Sequence, residues 1–299
     1  MMRSRTLVCV IVLSAALAAQ AQIEAVWLTH RSPTPDKTVV SWKSARPGPS
    51  QVHYGTDSSC PIEVRVAGEQ TIHHVEIPTP QRGTAIHYRV ATDGQRSETF
   101  AFQTCPEDGV RVAVVGDWAY ARRPNLTALK ADKPHLLMTA GDNVAQVINP
   151  SQPGDTRYIQ PYLNLIRSEA ELFATTPFMP ITGNHDKQVG PRENKHPGTS
   201  TEVYDIAATA FRTVFALPDP GWRWAFTIPQ ADATFLALDL HHVSDFGTTF
   251  QSCHDYHRGS EQFDWFDAQT RAASTGFLVT LMNEKSSCRA LEQGAWHTM

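Results

Sequence analysis

Three glycine-led turns in the second half of this chain carry ligand chemistry: Val115-Gly116-Asp117, Ala140-Gly141-Asp142-Asn143 and Thr182-Gly183-Asn184-His185-Asp186. Each closes an apolar run that reads as a strand. In α/β sheets the reactive groups gather at the carboxyl ends of strands, where loops converge on one crevice. Glycine lets the chain turn sharply there and lets backbone approach a ligand closely. Carboxylate, amide oxygen and imidazole are ligands for ions such as Zn, Mn or Fe. One carboxylate can bridge two such ions about 3.5–4 Å apart, which together clamp a phosphoryl group and activate water. A lone Gly-Asp is an ordinary turn. The ordered set, each member after a strand, is what carries the reading.

The elements that must hold these turns alternate. Arg111 to Gly116 is a buried-strand pattern, followed by a helix after Pro124 and a second strand over His135 to Ala140. Residues 156–173 read as a helix with Tyr158, Tyr162, Leu165 and Ile166 near one face, and Phe178 to Thr182 as a third strand. Thr234 to Leu238 and Gly276 to Met282 are further strands, with a helix over 260–273 between them. Strand and helix in alternation predict an α/β layered domain. Cys105-Pro106-Glu107-Asp108-Gly109 marks its start. Before it, residues 23–104 are all-β, with short runs such as Val39-Val40-Ser41-Trp42 and His74-Val75-Glu76-Ile77 split by Pro, Gly and Asp turns. That spacing predicts a small antiparallel β sandwich.

The order Ser41-Trp42, Val52-x-Tyr54-Gly55, His87-Tyr88-Arg89-Val90 and Phe100-x-Phe102-x-Thr104 resembles a fibronectin type III module, of the kind that precedes the catalytic domain in purple acid phosphatases. Together with the three strand-end turns, the chain resembles the calcineurin-like metallophosphoesterase family, purple acid phosphatase branch. The resemblance implies a fibronectin type III-like sandwich over 22–105, then an α/β/β/α-type layered domain over 109–299. It implies two divalent or trivalent ions (Fe, Zn or Mn), with Asp117 on the first, Asp142 bridging both and Asn184 on the second. It places His185 as a catalytic residue that contacts the phosphate or assists the leaving group. The implied activity is hydrolysis of small phosphate esters by a metal-bound hydroxide.

The departures from that family are specific. Purple enzymes carry a tyrosine three residues after the bridging aspartate, where this chain has Ala145. Other branches place a histidine two after the first aspartate, where it has Ala119. After the 276–282 strand the family expects a metal-binding histidine, and here the residues are Asn283-Glu284-Lys285. A later Gly-His-x-His motif is also expected and is not found before Met299. The resemblance therefore implies an incomplete catalytic domain with weak metal affinity and little turnover; robust metal-dependent turnover would instead point to His297 or Glu284 as substitute ligands. The alternative is a catalytically degenerate exported binding or adhesion protein that retains the fold.

Bulk properties agree with an exported globular protein. Arg3 and Arg5, the apolar run Leu7 to Leu17 and Ala19-Gln20-Ala21 form a signal-peptide pattern over residues 1–21. Once it is removed no membrane association is expected, and a secreted or periplasmic location follows. With 26 basic and 30 acidic residues and no Lys/Arg run, the chain lacks the clustered positive charge that nucleic acid demands. Cys60, Cys105, Cys253 and Cys288 remain after the leader and permit two disulfides, with Cys60–Cys105 and Cys253–Cys288 one of three connectivities. His241, His242, His254 and His257 gather around Asp239, Asp245 and Cys253. Their spacing matches no ligand template, so they read as a solvated loop. Trp222 to Phe226 reads as a strand on the core, and Phe263, Phe266 and Ala273 as the core face of a helix.

Overall fold

A computed structural model describes residues 23–118, 125–190, 204–219, 221–241 and 254–283. The leader, Ala119, Glu284, Lys285 and His297 lie outside these residues, as do His242, Asp245, Cys253 and Cys288.

The first 6 strands form one antiparallel sheet: β1 (Ile23–Thr29), β2 (Lys37–Gly55), β3 (Ile62–Pro78), β4 (Ala85–Thr92), β5 (Gln95–Arg96) and β6 (Phe100–Gln103). β2 pairs with β1 through Val39–Ser44 and with β4 through Gln51–Gly55. Its register with β3 slips on either side of Gly48. An irregularity of this kind bends a strand and sharpens its twist. The sheet thus wraps a sandwich-like core in which Trp42, Tyr88, Val52, Val75 and Ile77 are almost fully buried.

β1 is buried on both faces. Successive side chains of a strand point to opposite sides. Val26 and Leu28 enter the sandwich core, whereas Ala25 and Trp27 enter the core of the second half. Trp27 Nε1 donates to the Val214 carbonyl at 3.0 Å, and the Tyr88 hydroxyl donates to the Ala174 carbonyl at 2.6 Å. Buried indole and phenol groups need such partners, and here the partners lie across the junction.

The second half contains β7 (Val112–Val115), α1 (Thr127–Asp132), β8 (Leu136–Thr139), α2 (Gln160–Ser168), α3 (Ala170–Thr175), β9 (Phe178–Met179) and α4 (Thr209–Val214). β10 (Trp224–Ile228), β11 (Ala233–Ala237), α5 (Glu261–Ala272) and β12 (Phe277–Leu281) follow. β7, β8 and β9 make a parallel sheet in that order. In the other sheet β11 is central, antiparallel to β10 and parallel to β12. Trp224, Phe226 and Ile228 alternate inward along β10, as expected of a core-packed strand.

Four expectations are corrected. β7 is an edge strand with Val114 49% exposed, because nothing pairs with its outer side among the described residues. The 156–173 helix breaks at Glu169, whose φ of −134° ends α2 before α3 begins. α5 is not a core helix: Phe263, Phe266 and Ala273 are only partly buried, and Gln262 is its buried residue. Cys60 and Cys105 are both buried free thiols. Cys60 belongs to the turn after β2, where its amide donates to Asp57, and Cys105 to the end of β6, where its carbonyl accepts from Gly83. β12 leaves Phe277 65%, Leu278 41% and Val279 36% exposed.

Candidate functional site

Because β7, β8 and β9 are parallel neighbours, the residues just beyond their carboxyl ends share one edge of one sheet. Those residues include Asp117, Asp142 and Asn184. The chain reverses sharply there, with φ of +50° at Asp117, +52° at Asp142 and +86° at Gly141. The Asp117 amide donates to the Gly141 carbonyl at 3.3 Å, which joins the first two turns. A Cβ on Gly183 would fall 2.1 Å from Asp142 Oδ1, so the third turn lies directly against the second only because position 183 has no side chain.

Asn283 brings the second sheet to the same place. It lies two residues past β12, and its Nδ2 donates to the Ala140 carbonyl at 3.1 Å. At the position where the resemblance implies a histidine ligand, this chain has an amide already engaged with backbone.

Asp142 is 4% exposed. Burial pushes its carboxyl above the usual range and the Asp117 carboxylate adds repulsion, while His185 and His241 act in the opposite direction. The His185 amide donates to Asp142 Oδ1 at 3.1 Å, and His185 Nε2 stands 4.0 Å from Asp142 Oδ2. His185 Nδ1 lies 2.6 Å from the Ala145 carbonyl. A carbonyl only accepts, so Nδ1 carries the hydrogen and Nε2 is the ring atom that exchanges a proton. Asp186 ties the turns together: Oδ2 accepts the amides of Gly183 and Asn143 at 2.9 and 3.1 Å. Burial first, then Asp142, pushes Asp186 up to about 7.

Asn184 is 5% exposed, and its side-chain amide makes no hydrogen bond among the described residues. The amide keeps access to solvent, so its oxygen can meet a ligand, and a cation beside it would relieve the repulsion between the Asp142 and Asp117 carboxylates. Among the described residues no three Asp, Glu, His or Cys side chains gather as a group ready to hold a metal ion. The described residues thus offer carboxylate and amide oxygens at one place without an assembled ligand group.

The structure also assembles residues that the sequence reading set aside. Asp239, two residues past β11, is fully buried with His241 and Lys187. His241 Nε2 stands 3.0 Å from Asp239 Oδ1, Lys187 Nζ and His254 Nδ1 meet Oδ2, and Thr182 Oγ1 donates to Oδ1 at 2.7 Å. Burial raises the Asp239 carboxyl, but Lys187 and His241 outweigh it and hold the group well below the usual range. His241 and His254 are thus not members of a solvated loop. Among the described histidines of the cluster, His257, exposed and bonded to its neighbour's carbonyl, behaves in that way. The available signal was an acid closing a fourth strand, Leu238-Asp239, in the same style as the other three.

The fold is purple-acid-phosphatase-like. The solved structure of PhoD matches with a TM-score of 0.59 at 16% identity, covering 88% of this chain and 62% of PhoD. The purple acid phosphatase PPD1 from yellow lupin (Lupinus luteus) seeds matches with a TM-score of 0.58 at 14% identity, covering 85% of this chain and 50% of that enzyme. The chain thus spans less than two thirds of either structure. No protein-family model and no curated protein sequence matches it. Among the described residues no helix is long and apolar enough to cross a membrane.

Proposed function

We propose that this chain is an exported, metal-dependent phosphoesterase acting on small phosphate esters, with a fibronectin type III-like module ahead of a two-metal hydrolase domain. One observation carries the reading: Asp117, Asp142 and Asn184 end three adjacent parallel strands at one sheet edge, in a fold shared with PhoD and a purple acid phosphatase. Asp142 and Asn184 are the residues that hold the cation, and Asp117 adds the charge of a second site. Bound ions of this class supply Lewis-acid polarisation of a phosphoryl oxygen and a more acidic water. His185, its ring oriented by the Ala145 carbonyl, contacts a phosphate oxygen or passes a proton to the leaving group through Nε2.

The test is hydrolysis of p-nitrophenyl phosphate and bis-p-nitrophenyl phosphate with and without Mn²⁺, Zn²⁺ or Fe. The reading expects slow metal-dependent turnover that falls at least about 10²-fold in Asp142→Asn, the scale of losing a catalytic electrostatic contact. Turnover equal in Asp142→Asn and the parent removes it. A second reading, a non-catalytic member of the same fold, is favoured by Asn283 engaged with Ala140. It expects no turnover of either ester with any of the three metals.

A further inference from the structure

The Asp239 carboxylate lies between two parts of the strand-end site. Thr182 stands two residues before Asn184 and Lys187 three after it, and both contact Asp239, at Oδ1 and Oδ2 respectively. Both flanks of the Gly183-Asn184-His185-Asp186 turn are therefore fastened to one side chain from the other sheet. His241 Nε2 stands 3.0 Å from the same carboxylate. Asp239 is fixed in turn from α5, because its amide donates to Gln262 Oε1 at 2.7 Å. A carboxylate that bonds a lysine, a hydroxyl and the His254 imidazole, with the His241 ring 3.0 Å away, has few alternative arrangements. Replacing the Asp239–Lys187 pair with apolar groups removes both charges together, so no uncompensated charge stays buried, but it also takes the acceptor from Thr182 and His254.

We propose that Asp239 is the positioning residue of the site: it clamps the Asn184 turn from both flanks. This inference rests on the metal-dependent reading above for its effect on ion binding, although not for its effect on the turn.

The test uses the full chain with the double variant Asp239→Leu/Lys187→Met, which removes both charges together, and with Thr182→Val, which removes one contact and leaves the pair. Melting temperature reports folding, hydrogen exchange reports the Gly183 and His185 amides, and calorimetric titration with Mn²⁺ reports the site. The expected result is a double variant that still folds cooperatively, with a melting temperature lowered by the loss of the Thr182 and His254 contacts. Its Gly183 and His185 amides should exchange at least about 10-fold faster, and its Mn²⁺ affinity should be about 10–100-fold weaker, the usual cost of losing an orienting outer partner. Thr182→Val should accelerate the same amides several-fold, and this decides the matter if the double variant does not fold. Unchanged exchange at both amides in a folded variant overturns the proposal. If the parent itself takes up no Mn²⁺, the metal-dependent reading fails separately, and the exchange rates still decide whether Asp239 positions the turn.

Discussion

The His185 main-chain amide donates to Asp142 Oδ1 at 3.1 Å, so the turn after β9 is bonded to the side chain that ends β8. Two turns 43 residues apart in sequence form one object. Asp142 cannot shift without moving His185, and the absent side chain at Gly183 makes their approach possible.

Gly183→Ala tests that approach. The new Cβ would meet Asp142 Oδ1 at 2.1 Å and the Asp142 amide nitrogen at 2.5 Å, and the second of these is backbone that cannot rotate away. Overpacking of this kind costs about 1–3 kcal/mol. We expect a lower urea midpoint together with weaker Mn²⁺ binding. A variant with parent stability and parent Mn²⁺ affinity would show that the two turns are not in contact.

Acid should weaken the fold through its buried histidines. Burial, first among the causes, pulls His30, His73 and His74 down to about 4. An unfolded histidine takes a proton near 6.5, so between pH 6.5 and about 4 the unfolded chain binds more protons and stability falls as pH falls. Asp186, pushed up to about 7, works the other way across much of that window, but it and Asp142 are outnumbered. His73→Gln isolates one contributor. Ser44 and Ser50 hold the His73 ring on either side and Trp42 stacks on it at 4.5 Å. The variant should be less stable than the parent at pH 7.5, and the difference should shrink by pH 4.5. A difference that does not change with pH contradicts the assignment.

The junction between the sandwich and the second half should melt as one unit. Trp27 is fully buried, in contact with the second core, and bonded to Val214. Trp27→Ala should cost about 3–5 kcal/mol and lower the midpoint of a single transition followed by calorimetry. Two transitions, with only one displaced, would mean that the halves fold independently.

Much of this was legible because the signals are local. An apolar run followed by Gly-Asp or Gly-Asn-His-Asp announces a strand and the turn at its end, and Asp117, Asp142, Asn184 and His185 were singled out in that way. What escaped depends on contacts distant in sequence. Lys187 and Asp239 are 52 residues apart, and no spacing rule links them. A continuous apolar run such as Val112–Val115 reads as buried, but burial depends on neighbours that the run itself does not specify. The same holds for α5, whose aromatic positions share a face that no core covers fully, while the polar Gln262 is the residue drawn inward by the Asp239 amide. β1 reads as an ordinary strand, and only the assembled fold shows that its two faces serve two cores.

The central claim is a cation site at Asp142 and Asn184, and metal-dependent melting tests it most directly. A ligand that binds only the folded state stabilises it by about 2.7 kcal/mol at a hundred times its Kd. The parent chain should show a melting temperature that climbs with Mn²⁺ or Zn²⁺ concentration, and Asp142→Asn and Asn184→Ala should each flatten that curve. Parent and variants that give superimposable curves across the full metal range would contradict the account.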